Sequence, residues 1–242
     1  MCLIFPFEKK LYDDNGIPAV FVGHPLKDKV TTSLSRDEFW SKYALPSEGH
    51  LITLLPGSRR TEIKNHLPVL LEAARRLRTE IPVHFLLVLA ESIDREYLHR
   101  YLPQGEKGID VLITDRYDAI AQADLVLSSC GTANLETALL GTPFIAFYRL
   151  SPLTYYPFHR LVRIKAYSIV NILAARTIVP ELIQGRFSSA RLVRETKALL
   201  FSEEKKAKMK EEFRQVAVLL GQEKASERVA QELERIVFHW RP

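Results

Sequence analysis

From Leu51 onward the chain alternates short, continuous apolar runs with segments whose apolar residues recur every three or four positions. Few architectures absorb that pattern. Residues 51–55 are apolar and stop at Pro56-Gly57, as a strand does at a turn. Over 62–81, Ile63, Leu67, Leu70, Leu71, Ala74, Leu77 and Ile81 mark one face of an amphipathic helix, with Pro68 in its early turns as an expected bend. Further strands are predicted at 83–89, 109–113, 124–128 and 143–147, with helices at 92–101, 118–123 and after Ser129-Cys130-Gly131-Thr132. The last of these buries Leu135, Ala138 and Leu139 and ends at Gly141. Apolar strands alternating with helices predict an α/β fold: a doubly wound, Rossmann-like parallel sheet covered on both faces. With the common strand order 3-2-1-4-5, runs 51–55 and 124–128 are neighbours at the switch point, where ligands bind.

The flanks read differently. Residues 1–25 suggest strand, turn and strand about Asn15-Gly16, and short helical character leads to Pro46. Past Tyr148, residues 166–187 suggest loop, short strand and a helical turn, and 188–201, 203–221 and 225–239 are predicted helices. Two cysteines, Cys2 and Cys130, form no metal-binding or disulfide pattern, which suits a reducing cytoplasm. No apolar run approaches the roughly 20 residues of a membrane span. The net charge of +5 suits anionic partners, but aromatics and basic residues do not interleave as in RNA-binding motifs, so nucleic acid is not an expected partner. Residues 149–165 do mix the two, with Arg149, His159, Arg160, Arg163 and Lys165 among Tyr155, Tyr156, Phe158 and Leu161. That mixture fits either peripheral contact with anionic membrane or a packed helix with a basic edge.

The switch-point loops carry the candidate chemistry. Gly57 is expected to let the backbone approach a ligand, with Ser58 offering a hydroxyl and Arg59 a forked cation. Gly131 and Thr132 open a helix whose amides and dipole suit an anion, although Thr132 could be only an N-cap. Glu136, one turn on, could accept from sugar hydroxyls or simply favour the helix N-terminus. Cys130 has no histidine near it in sequence and reads as a small packed residue rather than a nucleophile. No carboxylate cluster has metal spacing, so neither metal nor other cofactor is expected.

The ordered blocks FPFEKKLYDDNGIPAVFVGHPLKD, LLPGSRRTEIKNHLP, SSCGTANLETALLGTPFIAFYRLSPLTY and VNILAARTIVPELIQ resemble lipid-A-disaccharide synthase over most of residues 3–190. The resemblance implies the C-terminal half of a two-domain GT-B glycosyltransferase. That enzyme class transfers 2,3-diacylglucosamine, with inversion, from UDP-2,3-diacylglucosamine to 2,3-diacylglucosamine 1-phosphate. The products are a β-1,6 disaccharide and UDP. It further implies that Gly57, Ser58, Arg59, Gly131 and Thr132 hold phosphate, that Glu136 takes the ribose hydroxyls, and that Asn171, Glu181 and Gln184 line the nucleotide-sugar pocket. Cys130 replaces the family's usual serine, Val170-Asn171 its Pro-Asn pair, and Ala175-Arg176 part of its Ala-Gly-Arg.

The expected organisation is 1–25 as a remnant of an N-terminal domain, 26–201 as the UDP-sugar-binding domain and 202–242 as C-terminal helices. The general base and much of the acceptor site would come from an N-terminal domain that this sequence lacks, so the chain by itself should not turn over. His24 is the one local candidate for a base, with a hinge-side structural contact as its other reading. A fragment, a split gene and a misread start all remain open, as does a homodimer. The expected location is cytoplasmic, peripheral on the inner membrane. A non-catalytic UDP-sugar-binding module, or another GT-B member such as a UDP-GlcNAc epimerase, is the alternative.

Overall fold

The run EKKLYDD has too few apolar residues for a helical stripe, yet it forms helix α1 (Glu8–Asp14), supported by Lys9–Asp13 and Lys10–Asp14 pairs one turn apart. The helix joins β1 (Cys2–Leu3) to β2 (Val20–Phe21), which pair in parallel. The strand-turn-strand expectation is corrected here: Asn15 is the C-cap of α1 and Gly16, at φ +66°, follows it. A parallel pair needs such a crossover. The computed structural model describes residues 1–102, 106–151, 166–222 and 224–239.

Two short helices follow, α2 (Leu26–Lys29) and α3 (Arg36–Lys42), the latter opened by a Ser35–Glu38 capping box. The regular alternation then begins: β3 (His50–Leu55), α4 (Arg60–Glu80), β4 (Val83–Val88), α5 (Arg95–His99), β5 (Ile109–Leu112), α6 (Arg116–Ala121), β6 (Leu125–Ser129), α7 (Thr132–Leu139) and β7 (Phe144–Tyr148). Helix α8 (Ile169–Ala174) and strand β8 (Glu181–Ile183) complete the sheet. Among the described residues it has six parallel strands in the order β5-β4-β3-β6-β7-β8. The expected order is thus found, extended by β8. Central β3 pairs on both sides, with Ile52 opposite Phe85 and Leu125.

Continuous apolar strands predict burial on both faces, and β6 is buried at every position. Helix α4 covers one face with Ile63, Leu67, Leu70 and Leu77, all without exposed surface. The closing helices are α9 (Ser189–Leu200), α10 (Glu203–Leu219) and α11 (Ala225–His239). Phe213 of α10 stacks on Phe144 of β7 at 5.5 Å between ring centres. The turn after α10 meets the N-terminal segment. Leu220 O accepts from His24 N at 3.0 Å, and Gly221 O accepts from Lys27 Nζ at 2.6 Å. Gly221, at φ +84°, sits close under the Phe21 ring, from which a Cβ there would lie 3.1 Å.

Candidate active site at the switch point

Where the chain leaves β3 and β6 in opposite directions, a crevice opens at the C-terminal ends of both strands. It forms a cavity of about 250 Å³ whose lining includes Gly57, Ser58, Arg59, Gly131, Thr132 and Glu136. Both predicted loops therefore face one space. A Cβ added at Gly131 would meet nothing within 4 Å, so that glycine leaves open room in the cavity rather than relieving a clash. The Gly131–Thr132 end of α7 presents backbone amides to this space.

Gly57 has a different reason from the one expected. It sits at φ +125°, and a Cβ there would lie 2.3 Å from Glu62 Oε2. Its lack of a side chain admits the Glu62 carboxylate, not a ligand. Glu62 Oε2 accepts from the amides of Ser58 at 2.8 Å and Arg59 at 3.2 Å, while Oε1 accepts from Arg59 Nη1 at 3.2 Å and the Tyr148 hydroxyl at 3.2 Å. The Ser58-Arg59 turn is thus shaped by a carboxylate from the first turn of α4. Arg59 itself keeps 74% of its side chain exposed.

His66, fully buried one turn further along α4, fixes the other side of the turn. Its Nδ1 donates to Pro56 O at 2.7 Å, and its Nε2 accepts from Arg149 N at 3.0 Å. Pro56 offers only a carbonyl and Arg149 only an N–H, so the ring is neutral. Burial lowers its pKa accordingly. The Phe147, Tyr148 and Phe187 rings meet it edge-on.

Glu136 is 5% exposed and reaches the cavity from the second turn of α7. Burial raises its pKa, opposed by Arg116, whose Nη2 donates to Oε2, and by Tyr117. Arg116 also lines the cavity. Cys130 does too, but burial and the nearby Glu181 charge push its thiol far above the ordinary range, which leaves no thiolate for nucleophilic work.

The remaining predicted residues lie off the cavity lining. Asn171 is buried, with Oδ1 accepting from Ile178 N at 2.8 Å and Val179 N at 3.0 Å, and Nδ2 donating to Val179 O at 3.0 Å and Glu181 Oε1 at 2.7 Å. Glu181 also accepts from Tyr167 N at 3.0 Å and Ser168 N at 3.0 Å, which seals the start of α8. Gln184 follows β8 at φ +53°. Of these three, Glu181 is near enough to Cys130 for its charge to act on the thiol. His24 is buried against Phe5, its ring 4.9 Å away, and its Nδ1 accepts from Leu26 N at 3.2 Å. Burial lowers its pKa. It is absent from the cavity lining.

Glu62, His66 and Arg116 escaped the sequence reading. Glu62 and His66 left a trace, as polar residues on the apolar face of α4. Arg116 left none, because its partner lies twenty positions away on another helix.

Arg149, the first residue of the basic-aromatic segment, packs over the Phe187 ring at 5.2 Å and donates to Phe187 O. The rest of that basic-aromatic segment, 152–165, lies outside the described residues. Among the described residues, no helix is long and apolar enough to cross a membrane, and no group of three or more His, Cys, Asp or Glu side chains is placed to hold a metal ion.

Solved structures share the fold. A glycosyltransferase from Rickettsia africae ESF-5 superposes with a TM-score of 0.66 at 15% identity, covering 99% of this chain and 64% of that one. The S. aureus MnaA–UDP co-structure gives 0.65 at 14% identity, covering 97% and 58%. The sheet is that of GT-B glycosyltransferases. In sequence, the lipid-A-disaccharide synthase of Syntrophus aciditrophicus (strain SB) is 40% identical over 232 residues, 95% of this chain and 61% of the relative. That of Geobacter sulfurreducens is 39% identical over 233 residues, 95% and 60%. The chain thus spans about three fifths of the curated relatives it matches. The profile described as lipid-A-disaccharide synthetase matches residues 1–237, and with nearly its whole length so matched the chain belongs to that family.

Proposed function

We propose that this chain is the donor-binding part of a lipid-A-disaccharide synthase, holding UDP-2,3-diacylglucosamine for inverting transfer to 2,3-diacylglucosamine 1-phosphate. The observation that carries the reading is the single crevice at the ends of β3 and β6. It brings a cation, a donor-rich helix start and a buried carboxylate to one space. Arg59 turns from Glu62 towards the diphosphate, and the amides of Gly131 and Thr132 receive it. Glu136 accepts from the ribose hydroxyls. Ser58 adds a hydroxyl, while Asn171, Glu181 and Gln184 shape the wall where the sugar continues. These residues stabilise the leaving UDP without a metal ion.

The acceptor site and general base belong to the two fifths of the relatives that this chain does not match. Exposed Phe7, Leu11 and Ile17 support residues 1–25 as the side on which that portion packs. Residues 26–201 then form the UDP-sugar domain and 202–242 the closing helices. The acylated substrates place the protein at the cytoplasmic face of a membrane, held peripherally.

Calorimetric titration tests the class of ligand. UDP is expected to bind at a single site, equally well with or without EDTA, and well ahead of single-stranded DNA or RNA. Binding abolished by EDTA, or nucleic acid bound in preference to UDP, would contradict the reading.

A further inference from the structure

Arg116 belongs to none of the motifs that mark the crevice, yet its guanidinium reaches into it. It donates from Nη2 to Glu136 Oε2, with 42% of its own side chain exposed against 7% for Glu136. A carboxylate buried to that degree is costly unless a counter-charge is held against it. Arg116 is that counter-charge, and it is held from behind.

Asp115, the residue before it, sits at φ +52°, a conformation unusual for a side chain larger than glycine. It is gripped there by Lys42 Nζ and by the Tyr43 hydroxyl at 2.6 Å. Two residues beyond Arg116, Asp118 accepts from Ser33 N at 2.9 Å, Ser33 Oγ at 2.9 Å and Leu34 N at 2.8 Å. The segment 33–43 thus clamps both sides of Arg116 and aims it at α7.

A carboxylate offers about four lone-pair positions. The Arg116 bond and the Tyr117 hydroxyl occupy part of that capacity and leave the rest for a ligand in the cavity. Held ionised, the group is acceptor-only and matches a vicinal diol, whose two hydroxyls both donate. A protonated carboxyl would present a donor to one of those hydroxyls instead.

We propose that Arg116 is a positioning residue that makes Glu136 a reader of the ribose diol, so that the Arg116–Glu136 pair sets a preference for ribonucleotides over 2′-deoxyribonucleotides. The inference rests on the donor-site reading and adds to it the residue that gives Glu136 its form. Arg116 is directed to the carboxylate, not to the diphosphate, which falls to Arg59 and the start of α7.

The test is calorimetric titration of UDP, 2′-deoxy-UDP and inorganic pyrophosphate into the chain, Arg116→Ala and Arg116→Lys, with thermal melts alongside. The unmodified chain should prefer UDP over 2′-deoxy-UDP by about tenfold or more, the worth of one charge-assisted hydrogen bond. Arg116→Ala should lose most of that preference, and the loss should be smaller at high pH than at low pH, because burial without the counter-charge raises the Glu136 pKa further. Arg116→Lys should keep part of it, and pyrophosphate affinity should not change in either variant. Equal weakening of pyrophosphate and UDP would overturn the proposal by making Arg116 a phosphate ligand. So would an unchanged ratio in Arg116→Ala, or a loss equally large at low and high pH. A native chain that binds UDP and 2′-deoxy-UDP alike overturns the ribose role while leaving the diphosphate site intact. One that binds neither nucleotide overturns the donor reading as well.

Discussion

At the scale of single residues, the crevice is braced by a buried side chain outside its lining, His66. His66 joins the Pro56 turn to Arg149, using one ring nitrogen as donor and the other as acceptor. Protonation would convert the acceptor into a second donor aimed at the Arg149 N–H. Its folded pKa is lowered from 6.5, so the unfolded chain takes up the proton first. Stability from this group is therefore complete above the unfolded value and falls as the pH drops through it towards the folded value. His24, also lowered by burial, acts in the same direction. Melting temperatures are expected to fall between pH 7.5 and pH 5, and the fall should be shallower in His66→Gln. An equal pH dependence in that variant would show that His66 is not the sensitive group.

At the scale of elements, the short helix α6 does more than cross from β5 to β6. Asp118, 2% exposed, collects the Ser33 and Leu34 amides and the Ser33 hydroxyl, so it anchors the linker that runs into the sheet. Asp118→Ala leaves those amides without their acceptor. It is expected to cost about 2–4 kcal/mol, as loss of a buried charged acceptor with several partners does. Denaturant unfolding measures it, and a change below about 0.5 kcal/mol, the scale of a neutral surface substitution, would mean that the anchor is dispensable.

None of this linkage could be read from the chain, because Asp118 and Ser33 are far apart in sequence and each is ordinary in its own neighbourhood. The strands were legible, since burial on both faces forces continuous apolar runs; β6 and β7 begin and end one residue later than expected. Helix α1 was not legible, because its stability comes from charge pairs rather than an apolar stripe. Helix α8 was not either. Its start is sealed by Glu181, which follows it in sequence. The same split holds at the crevice. Gly57, Ser58, Arg59, Gly131, Thr132 and Glu136 announced themselves by adjoining strand ends, while Arg116 depends on a contact between two helices.

At the scale of the molecule, the proposed reading gives the fold one half of a reaction: a place for an anionic nucleotide, with its charge met from two sides. The diphosphate and the ribose are assigned to different groups, Arg59 with the α7 start and Glu136 with Arg116. That separation is the central claim, and it has a measurable signature. UDP and inorganic pyrophosphate should be titrated calorimetrically into the chain and into Arg59→Ala and Glu136→Gln. Arg59→Ala should weaken both ligands by about 1.5–3 kcal/mol, the worth of a charge-assisted hydrogen bond. Glu136→Gln should weaken UDP while leaving pyrophosphate unchanged. Loss of both ligands to the same degree in Glu136→Gln, or undiminished UDP affinity in Arg59→Ala, would contradict it.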